Sequence, residues 1–458
     1  MKIHFIAIGG SAMHNLALAL HKKGYRVSGS DDEIVEPSKS RLAVCGLLPE
    51  AAGWFPAKIT PDLDAVVLGM HARKENPELL RAQELGLKIF SYPEFLYEQT
   101  RDKIRVVIGG SHGKTTITSM IMHVLRESGL LFDYMVGAQL EGFDTMVGLS
   151  EEAPVAVFEG DEYLSSPSDP RPKFHLYHPH IAVLSGIAWD HINVFPTFED
   201  YVDQFRRFAE LIEPGGQLFY DEEDPHLRKI AASQTHLTAT AYSAHPAETT
   251  GGETFLLRGD KRVKLNIFGE HNLRNLSAAL AVCRSLGVSD DLFYQAISSF
   301  TGAARRLELL AGNNTTAVFR DFAHSPSKLA ATVKAVKNHY PGRRLVACME
   351  LHTFSSLKKE FLPHYRHTMD AADEAYVYFN PHTVEHKKLE PITPEMVFEG
   401  FGKTGLRVTT DSEALFTELV AKVWEDCNLL LMSSGNFDGK DLPAIARKIT
   451  GENNGQNT

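Results

Sequence analysis

The 458-residue sequence lacks the cysteine pairs, the basic excess and the long apolar runs that mark several large classes of protein. Its four cysteines, Cys45, Cys283, Cys348 and Cys427, lie far apart and form no C-x-x-C pair. We therefore expect reduced thiols and no disulfide framework. A net charge of −11 argues against a nucleic-acid polymer as the main partner, because binding to its phosphates requires a positive surface.

No stretch approaches the ~18 apolar residues that a membrane span requires. The apolar run at residues 3–8 is short and ends at Gly9-Gly10, unlike the layout of a signal peptide. The apolar fraction of 43% and the charged fraction of 23% are ordinary for a globular protein. We expect a cytoplasmic protein with no membrane partner, two to four domains, and a monomeric or dimeric state.

One stretch combines a strand, a glycine-rich turn and a helix start. An apolar run at residues 104–108 ends at Gly109-Gly110, and apolar residues recur at helical spacing over residues 117–125. Glycines let backbone N–H groups approach a phosphate, the Lys114 ammonium can reach the β- and γ-phosphates, and the Thr115 hydroxyl can ligate Mg²⁺. The pattern predicts a P-loop with Lys114 as a catalytic residue, although Ile108 stands where the standard loop has its first glycine. A glycine-rich turn without a ligand is the structural alternative. The predicted loop contains Gly110, Ser111, His112, Gly113, Lys114, Thr115 and Thr116.

An acidic segment and a histidine each follow another predicted strand. Glu159-Gly-Asp-Glu-Tyr163 comes directly after residues 155–158, and Asp190-His191 comes soon after residues 181–184. A P-loop needs a second acidic partner for Mg²⁺, usually at the end of a neighbouring strand. Glu159 is therefore predicted to be a metal ligand and a catalytic residue, with His191 at the same edge of the sheet. The structural alternative is a solvated acidic turn beside an ordinary turn histidine.

The first hundred residues carry a weak form of the dinucleotide-binding fingerprint. Ala7, Gly9 and Ala12 stand in the positions of G-x-G-x-x-G, and Asp31 follows about twenty residues later, where an acid would meet a ribose hydroxyl. A structural turn without a ligand explains this pattern equally well. A dinucleotide-dependent oxidoreductase is disfavoured, because two glycines are missing and the P-loop would be left unexplained.

Strand and helix signals alternate along almost the whole chain, with further strands predicted at residues 318–319, 345–349, 375–379 and 429–432. The predicted fold class is α/β with three domains. These are a Rossmann-like N-terminal domain at residues 1–100, a P-loop ATP-binding domain at residues 101–300 and a Rossmann-like C-terminal domain at residues 301–458.

A series of motifs, taken in chain order, resembles those of the Mur ligases, three-domain enzymes that form amide bonds with ATP in peptidoglycan synthesis. The glycine-rich turns at residues 9–13 and 29–31 are similar to those of the family's UDP-sugar domain. The P-loop resembles the family's ATP-binding loop, with Ser111 where Thr is usual. The acidic segment and Asp190-His191 resemble its Mg²⁺-binding segments. The remaining motifs resemble those that contact adenine, phosphate and ribose; they are Gly269-Glu-His-Asn-Leu-Arg-Asn275, Arg305-Arg306-Leu307-Glu308 and Asp321-Phe-Ala-His324.

The resemblance implies ATP and Mg²⁺ as cofactors and UDP-N-acetylmuramate and an amino acid or peptide as substrates. It implies ATP contacts by Asn272, Asn275, Arg306 and Asp321, in addition to the loop. It implies UDP-sugar contacts by Gly9, Gly10, Ser11, Met13, Ser30, Asp31 and His71. It also implies that Thr115, Glu159 and His191 hold the metal without a carboxylated lysine, since no lysine lies between Lys173 and Lys229.

Within the family, the acidic segment, Lys173-Phe174, Tyr177 and Asp321-Phe-Ala-His324 resemble the murein peptide ligases more than the L-alanine-adding enzymes. That branch recycles the peptide L-alanyl-γ-D-glutamyl-meso-diaminopimelate by joining it, through an acyl phosphate, to the lactyl carboxylate of UDP-N-acetylmuramate. A peptide with several carboxylates needs cations in its pocket. The predicted amine-substrate residues are His324, Lys358 and Lys359, with Arg366 nearby; a solvated helix face is the alternative.

Two other functions stay open from the sequence. The same fold can join L-alanine, rather than a peptide, to the same sugar nucleotide. A P-loop NTPase or kinase that forms no amide bond belongs to a different class. The paired acidic and histidine segments and the long third α/β region count against it.

Overall fold

The computed structural model describes residues 1–70, 72–166, 169–189, 194–250 and 252–452. The chain forms two compact units. The first contains Met1–Ile187, Pro196–Ser243 and Asn275–Ile297, and the second contains Ala188–Phe195, Ala244–Arg274 and Ser298–Thr458. None of the described helices has the length and apolar character of a membrane span.

The first unit begins with a four-stranded parallel sheet in the order β2-β1-β3-β4. The strands are β1 Lys2–Ile6, β2 Arg26–Ser30, β3 Ala65–Leu68 and β4 Ile89–Ser91. The helices are α1 Ser11–Lys22, α2 Ser38–Val44, α3 Pro77–Glu84 and α4 Tyr92–Thr100, with a 3₁₀ turn at Pro56–Lys58. The strand predicted for residues 3–8 ends at Ile6, because Ala7 adopts a φ of 68° and both Ala7 and Ile8 donate their N–H groups to the Ser30 carbonyl.

The first unit continues with a seven-stranded sheet in the order β13-β12-β11-β5-β8-β6-β7, parallel except for the pair β6–β7. Its strands are β5 Ile104–Gly109, β6 Phe132–Met135, β7 Val147–Gly148, β8 Val155–Glu159, β11 Ile181–Leu184, β12 Gln217–Asp221 and β13 Thr238–Tyr242; β9 Leu164–Ser166 and β10 Asp169–Pro172 form a separate hairpin before a 3₁₀ turn at Lys173–Leu176. The helices are α5 Lys114–Glu127, α6 Phe198–Glu210 and α7 Pro225–Ser233.

The central strand β5 has β11 on one side and β8 on the other. Gly109 pairs with Leu184 of β11, and Ile108 pairs with Glu159 of β8. The carboxyl ends of three parallel strands therefore meet at one edge of the sheet, which is where ligands bind in open α/β folds.

A three-stranded antiparallel sheet follows, formed by β14 Ala247–Thr250, β15 Glu253–Arg258 and β16 Lys261–Leu265. Helices α8 Glu270–Ser285 and α9 Asp290–Ile297 come next along the chain. Within this sheet, β15 buries Thr254 and Leu256.

The second unit contains a six-stranded sheet in the order β17-β18-β22-β19-β20-β21, in which only β17 is antiparallel to its neighbour. The strands are β17 Glu308–Gly312, β18 Ala317–Asp321, β19 Arg344–Leu351, β20 Glu374–Phe379, β21 Arg407–Thr409 and β22 Cys427–Met432. The helices are α10 Pro326–His339, α11 Pro381–His386, α12 Pro394–Phe401, α13 Ser412–Ala421 and α14 Leu442–Thr450, with a 3₁₀ stretch at Lys359–Tyr365. Each predicted domain thus has its own parallel sheet, which confirms the α/β class with three domains; the predicted boundaries stay a prediction.

A buried pair of polar side chains fastens α3 to the first sheet. His4 Nε2 lies 3.2 Å from Glu78 Oε2, and Glu78 Oε1 accepts the Phe55 N–H at 2.7 Å. Both side chains are fully buried. Burial alone would raise the pKa of the Glu78 carboxyl, but hydrogen bonds from His4, Ser30 and Phe55 outweigh burial and lower it. The carboxylate is thus favoured in the folded protein.

Replacing Glu78 by Gln should lower the free energy of unfolding at pH 7 by about 1.5–3 kcal/mol, because hydrogen bonds to a charged acceptor are lost. The lowered pKa means that the stabilisation is present at neutral pH and is lost as pH falls through the folded pKa. The difference between the parent and Glu78→Gln should therefore shrink below about pH 4. Urea unfolding at pH 7 and at about pH 3 measures both effects.

Glu84→Gln is the matched control, since Glu84 lies on the same helix but is exposed beside Arg81. We expect a change within about 0.5 kcal/mol for this control. An equal loss in both variants, or a Glu78→Gln loss that does not change with pH, would contradict the assigned role of the buried carboxylate.

Candidate active site

The glycine-rich turn wraps tightly between β5 and α5. Gly110 and Gly113 adopt φ values of 129° and 74°, which disfavour any side chain. A Cβ atom on Gly110 would lie 2.3 Å from the Ser185 hydroxyl, and one on Gly113 would lie 2.3 Å from the Asn275 amide oxygen. The backbone of the loop therefore has the close contacts and helix entry of a phosphate-binding turn, as the sequence predicts.

The Lys114 ammonium is held between the loop and the acidic segment. It donates to the Gly110 carbonyl at 2.6 Å and forms an ion pair with Glu162, also at 2.6 Å. Burial alone would lower the pKa of Lys114, but the nearby carboxylates of Glu162 and Asp161 outweigh burial and raise it. The side chain therefore carries a full positive charge at the first turn of α5, where a phosphate would lie.

Glu162 is the functional residue that the sequence interpretation underrated. Its second carboxylate oxygen accepts from the Tyr201 hydroxyl at 3.1 Å, and that hydroxyl lies 2.9 Å from the Ser111 hydroxyl. Ser111, Tyr201 and Glu162 are all buried. In the sequence, the only signal for Glu162 is that it is a third acidic residue within residues 159–163. Its contact with Tyr201 of α6 arises only when the chain folds.

Thr115 and Glu159 are brought together by the pairing of β5 with β8. The Thr115 hydroxyl donates to Glu159 Oε1 at 2.9 Å, and the Gly137 N–H donates to Oε2 at 2.6 Å. Oxygen donors at the end of a P-loop strand suit Mg²⁺, which binds one or two carboxylates and completes its shell with water and substrate phosphates. Among the described residues, no three Asp, Glu, His or Cys side chains form a metal-binding cluster. Thr115 and Glu159 therefore fit a shared Mg²⁺ site.

The third member of the predicted metal set, His191, lies outside the described residues, as does Asp190. The strand before them, β11, ends at Leu184. The Ser185 hydroxyl donates to the carbonyl oxygens of Gly109 and His112, so β11 fastens the P-loop directly. The role of His191 stays a prediction.

The two asparagines predicted to contact adenine, Asn272 and Asn275, fall in different compact units. Asn275 lies against Gly113 of the P-loop. Asn272 is buried and donates from its side-chain nitrogen to the Phe268 carbonyl at 2.8 Å. Thr116, the last residue of the predicted loop, is buried in the first turn of α5.

The predicted UDP-sugar residues meet at the carboxyl edge of the first sheet. Asp31 Oδ2 accepts the Gly9 N–H at 2.7 Å, so the acid holds the turn that enters α1. Burial raises the pKa of Asp31, and the Gly9 N–H partly offsets this effect. Gly10 and Ser11 are exposed at the start of α1, Met13 and Ser30 are buried, and His71 lies outside the described residues. The exposed backbone at Gly10 and Ser11 is the part of this set that a phosphate can reach.

In the second unit, the predicted ribose and phosphate residues are also neighbours. Asp321 ends β18, and its carboxylate accepts the N–H groups of Leu307 and Ala323 at 2.5 and 2.7 Å. Burial raises the pKa of Asp321, although the nearby Arg306 guanidinium acts in the opposite direction. That guanidinium lies 4.5 Å from the centre of the Phe322 ring.

The predicted amine-substrate residues are distributed along two stretches of the second unit. His324 follows β18, and its Nδ1 lies 2.9 Å from the Phe322 carbonyl. Lys358 lies over the Phe354 ring at 4.7 Å, and Lys359 is exposed at the start of the 3₁₀ stretch. Among the described residues, neither lysine has a carboxylate within ion-pair distance.

A polar cluster at the carboxyl edge of the third sheet was missed by the sequence interpretation. The buried Glu350 of β19 accepts from the Ser433 hydroxyl and from the Phe437 N–H at 2.8 Å. His352 Nδ1 lies 3.7 Å from its other oxygen. The strands β19 and β22 are adjacent and parallel, so the polar segments after them meet, although they are about eighty residues apart in sequence.

Three successive segments of the chain match the models of three domains of one protein family. The Mur ligase family catalytic domain matches residues 2–103, the Mur ligase middle domain residues 108–283, and the Mur ligase glutamate ligase domain residues 305–435. The chain is also 33% identical over 379 residues to a UDP-N-acetylmuramate–L-alanine ligase of Clostridium kluyveri, covering 79% of this chain and 80% of that protein.

The chain belongs to the Mur ligase family. It is therefore an enzyme, an ATP-dependent ligase. Two solved structures resemble this Mur ligase. The UDP-N-acetylmuramate:L-alanyl-γ-D-glutamyl-meso-diaminopimelate ligase of Neisseria meningitides is 27% identical, with 65% of this chain and 98% of that chain covered and a TM-score of 0.59. The murein peptide ligase of Psychrobacter arcticus is 24% identical, with 98% and 99% covered and a TM-score of 0.66, and that likeness shows the fold.

Lys114→Ala should lower the turnover of this Mur ligase by about 10² or more, because one positive group facing the transferred phosphate is removed. Steady-state ADP release measures the effect, with circular dichroism to verify folding. Lys448→Ala, an exposed lysine on α14, is the control and should leave turnover unchanged. A folded Lys114→Ala protein with near-normal turnover would refute the catalytic assignment.

Glu159→Gln should raise the Mg²⁺ concentration needed for half-maximal activity by about ten-fold or more, because a charged ligand contact is worth more than about 1.4 kcal/mol. The amide oxygen can still accept from Thr115 and Gly137, so the loop should keep its shape. Activity is measured against Mg²⁺ at fixed, saturating ATP. His191→Ala should shift the curve in the same direction if His191 is also a ligand.

Glu152→Gln is the control for this titration, because Glu152 is exposed just before β8. Its curve should superimpose on that of the parent. If the Glu159→Gln curve also superimposes, Glu159 is not a metal ligand and its contact with Thr115 serves only the fold.

Proposed function

We propose that this Mur ligase uses ATP to activate the lactyl carboxylate of UDP-N-acetylmuramate and joins it to the amino group of L-alanyl-γ-D-glutamyl-meso-diaminopimelate. The observation that carries the ligase chemistry is the placement of Lys114, Thr115 and Glu159 at one edge of the central sheet. The choice of a peptide is supported by two cations of the second unit, the half-buried Lys358 and the exposed Lys359, and by the named activity of the Neisseria relative.

The first step makes the carboxylate reactive. A carboxylate oxygen attacks the γ-phosphorus of ATP, the bond from that phosphorus to the β-phosphate oxygen breaks, and ADP leaves an acyl phosphate behind. Both the attacking oxygen and the γ-phosphate are anionic. The Lys114 ammonium and the loop N–H groups lower the resulting repulsion as the phosphoryl group moves.

Glu162 has a positioning role in this step. It fixes the Lys114 ammonium by the 2.6 Å ion pair, and Tyr201 and Ser111 in turn fix the carboxylate. Thr115 and Glu159 would hold Mg²⁺, whose charge neutralises phosphate oxygens when it is bound. The chain thus has neutralising groups on the P-loop and on β8.

The second step forms the amide bond. The amino group of the peptide attacks the acyl carbon, a tetrahedral intermediate forms, and the C–O bond to phosphate breaks while the amine loses a proton. Because phosphate is a good leaving group, catalysis here is mostly a matter of holding the amine in line. His324, Lys358 and Lys359 of the second unit would bind the peptide and orient its amino group.

Two residues of the peptide-branch pattern act differently from what the sequence suggested. Phe174 and Tyr177 are fully buried, with Phe174 stacked on Phe208 at 4.6 Å and Tyr177 packed on Phe158 at 5.1 Å. Core aromatic rings do not contact a diffusing substrate. The peptide assignment therefore depends on the cations Lys358 and Lys359, not on this part of the pattern.

The second candidate is L-alanine as the amine. The Clostridium relative is named for that reaction and is 33% identical to this chain. L-alanine brings one carboxylate, whereas the peptide brings several, so the two candidates differ in how many cations they need.

The comparison of kcat/KM for the tripeptide and for L-alanine, with ATP and UDP-N-acetylmuramate saturating, decides between them. We expect a preference for the tripeptide. Lys358→Met and Lys359→Met should each raise the KM for the tripeptide by about ten-fold, since a charge-assisted contact is worth roughly 1.5–3 kcal/mol. The kcat with saturating tripeptide should change little.

Lys448→Met serves as the control, since this exposed lysine lies outside every proposed site. A clear preference for free L-alanine would overturn the peptide assignment and leave the ligase chemistry intact. Equal KM values for the parent and both lysine variants would show that these cations do not contact the peptide.

A further inference from the structure

The second unit contains a cavity of about 430 Å³ that none of the functions above uses. Three elements enclose it: the antiparallel sheet β14–β16, the first turn of α8 and the helix α10. Its lining includes the buried Thr254 and the exposed Lys334, so it extends from the surface into the interior of this unit. A volume of this size is within the range of small-molecule sites.

The cavity lies beside the first turn of α8, within the segment that resembles the adenine motif. Glu270, His271 and Arg274 of that segment line it, whereas Asn272 does not. At 3.6 residues per turn, Asn272 projects about 150° away from the mean direction of these three residues. Its side-chain nitrogen donates to the Phe268 carbonyl instead. The predicted adenine contact of Asn272 is therefore not part of the cavity.

A buried hydroxyl lines this cavity. Thr254 is 5% exposed, and its Oγ1 has no hydrogen-bond partner within the part of the chain that the structure describes. Thr249 of the adjacent strand pairs with Thr254 in the sheet register and also lines the cavity. Leaving a buried hydroxyl without a partner costs about 1–3 kcal/mol, so such groups are rare and call for an explanation. A ligand that accepts from this hydroxyl provides one.

The charges around the cavity favour an anion. Arg274 and Lys334 contribute two positive charges, and Glu270, which pairs with Arg274 at 2.5 Å, contributes one negative charge. Burial lowers the pKa of His271 to about 4, so its imidazole is neutral at pH 7 and available for hydrogen bonding. The net charge of the lining is positive, and an arginine guanidinium suits the planar or tetrahedral oxygens of an acid group.

Part of the remaining wall consists of short apolar side chains, beside the polar Asn338 and His339. Ala247 of β14 and Ala330, Ala331 and Ala335 of α10 line it. Short side chains leave room for an organic group beside the cations. A Cβ atom on Gly269 would lie 2.9 Å from the Ala335 methyl group, so α8 and α10 approach as closely as glycine allows and close that side of the cavity.

We propose that this cavity binds a small organic anion, with its phosphate or carboxylate group near Arg274 and Lys334, its apolar part against the alanines, and a hydrogen bond from Thr254. This site is additional to the ATP, UDP-sugar and amine sites and does not depend on which amine the enzyme uses.

Phenyl phosphate and benzoate are suitable probes, with benzyl alcohol as the uncharged analogue of similar shape. Isothermal titration is carried out on the full chain with ADP and Mg²⁺ saturating, so that the P-loop is not available to the probe. We expect binding of at least one of the two acids, and binding of benzyl alcohol at least ten-fold weaker. Tighter binding of phenyl phosphate identifies a phosphate site, and tighter binding of benzoate a carboxylate site.

Thr254→Val and Lys334→Met identify the cavity as the place of binding. Each should weaken the binding of the better acid by about ten-fold. Thr254→Val should at the same time leave the thermal midpoint of the ligand-free protein unchanged or raise it, because a buried hydroxyl without a partner is replaced by a methyl group of similar size. A residue with a purely structural role would show a lower midpoint instead.

Lys337→Met is the matched control, since Lys337 lies on the same helix but pairs with Asp373 and does not line the cavity. Its affinity for the probe should equal that of the parent. No binding of either acid at millimolar concentration, binding that all three variants leave unchanged, or a lower midpoint for Thr254→Val would overturn the proposal.

Discussion

Burying the Lys114 ammonium beside a phosphate-binding turn requires carboxylates within a few ångströms, and the rest of the ATP site depends on this constraint. A charge largely withdrawn from water is costly without a partner, and Glu162, 2.6 Å away, provides that partner. Glu162 is held in turn by Tyr201 from α6. The parallel pairing of β5 with β8 brings the acidic segment to the loop, and the P-loop, the acidic strand and α6 thus form one electrostatic unit.

The other two sheets use a similar arrangement at their carboxyl edges. Asp31 follows β2 and holds the Gly9 N–H, and Asp321 ends β18 and holds two N–H groups of neighbouring loops. In each case an acid at the end of a strand fixes the turn that a ligand would approach. A carboxylate oxygen can accept two hydrogen bonds, so fixing a turn does not prevent the same group from contacting a ribose or sugar hydroxyl.

Specificity for the amine depends on features of a different kind. The aromatic residues that give the sequence its resemblance to the peptide branch pack in the core, where Phe174 and Tyr177 support the sheet. Under the proposed function, the activation chemistry does not depend on the amine, so the second unit would have to distinguish one amine from another. Under the proposed function, Lys358, Lys359 and the polar cluster around Glu350 are the described features of the second unit that would do so. These residues would recognise the charge of the amine substrate more than its size.

The sequence by itself determined the α/β class with three domains and predicted the strand, glycine-rich turn and helix around Lys114, with Glu159 at the end of another strand. These features follow from local signals: β-branched runs, glycines at the ends of strands and acids directly after them. The tertiary structure decided what the sequence left open or assigned differently. In the folded chain, Glu162 forms an ion pair with Lys114, and Phe174 and Tyr177 are buried in the core. Glu350 accepts a hydrogen bond from Ser433, and Thr254 lines a cavity. Each of these contacts joins segments far apart in the chain or depends on which side chains become buried, and neither spacing nor composition encodes that information.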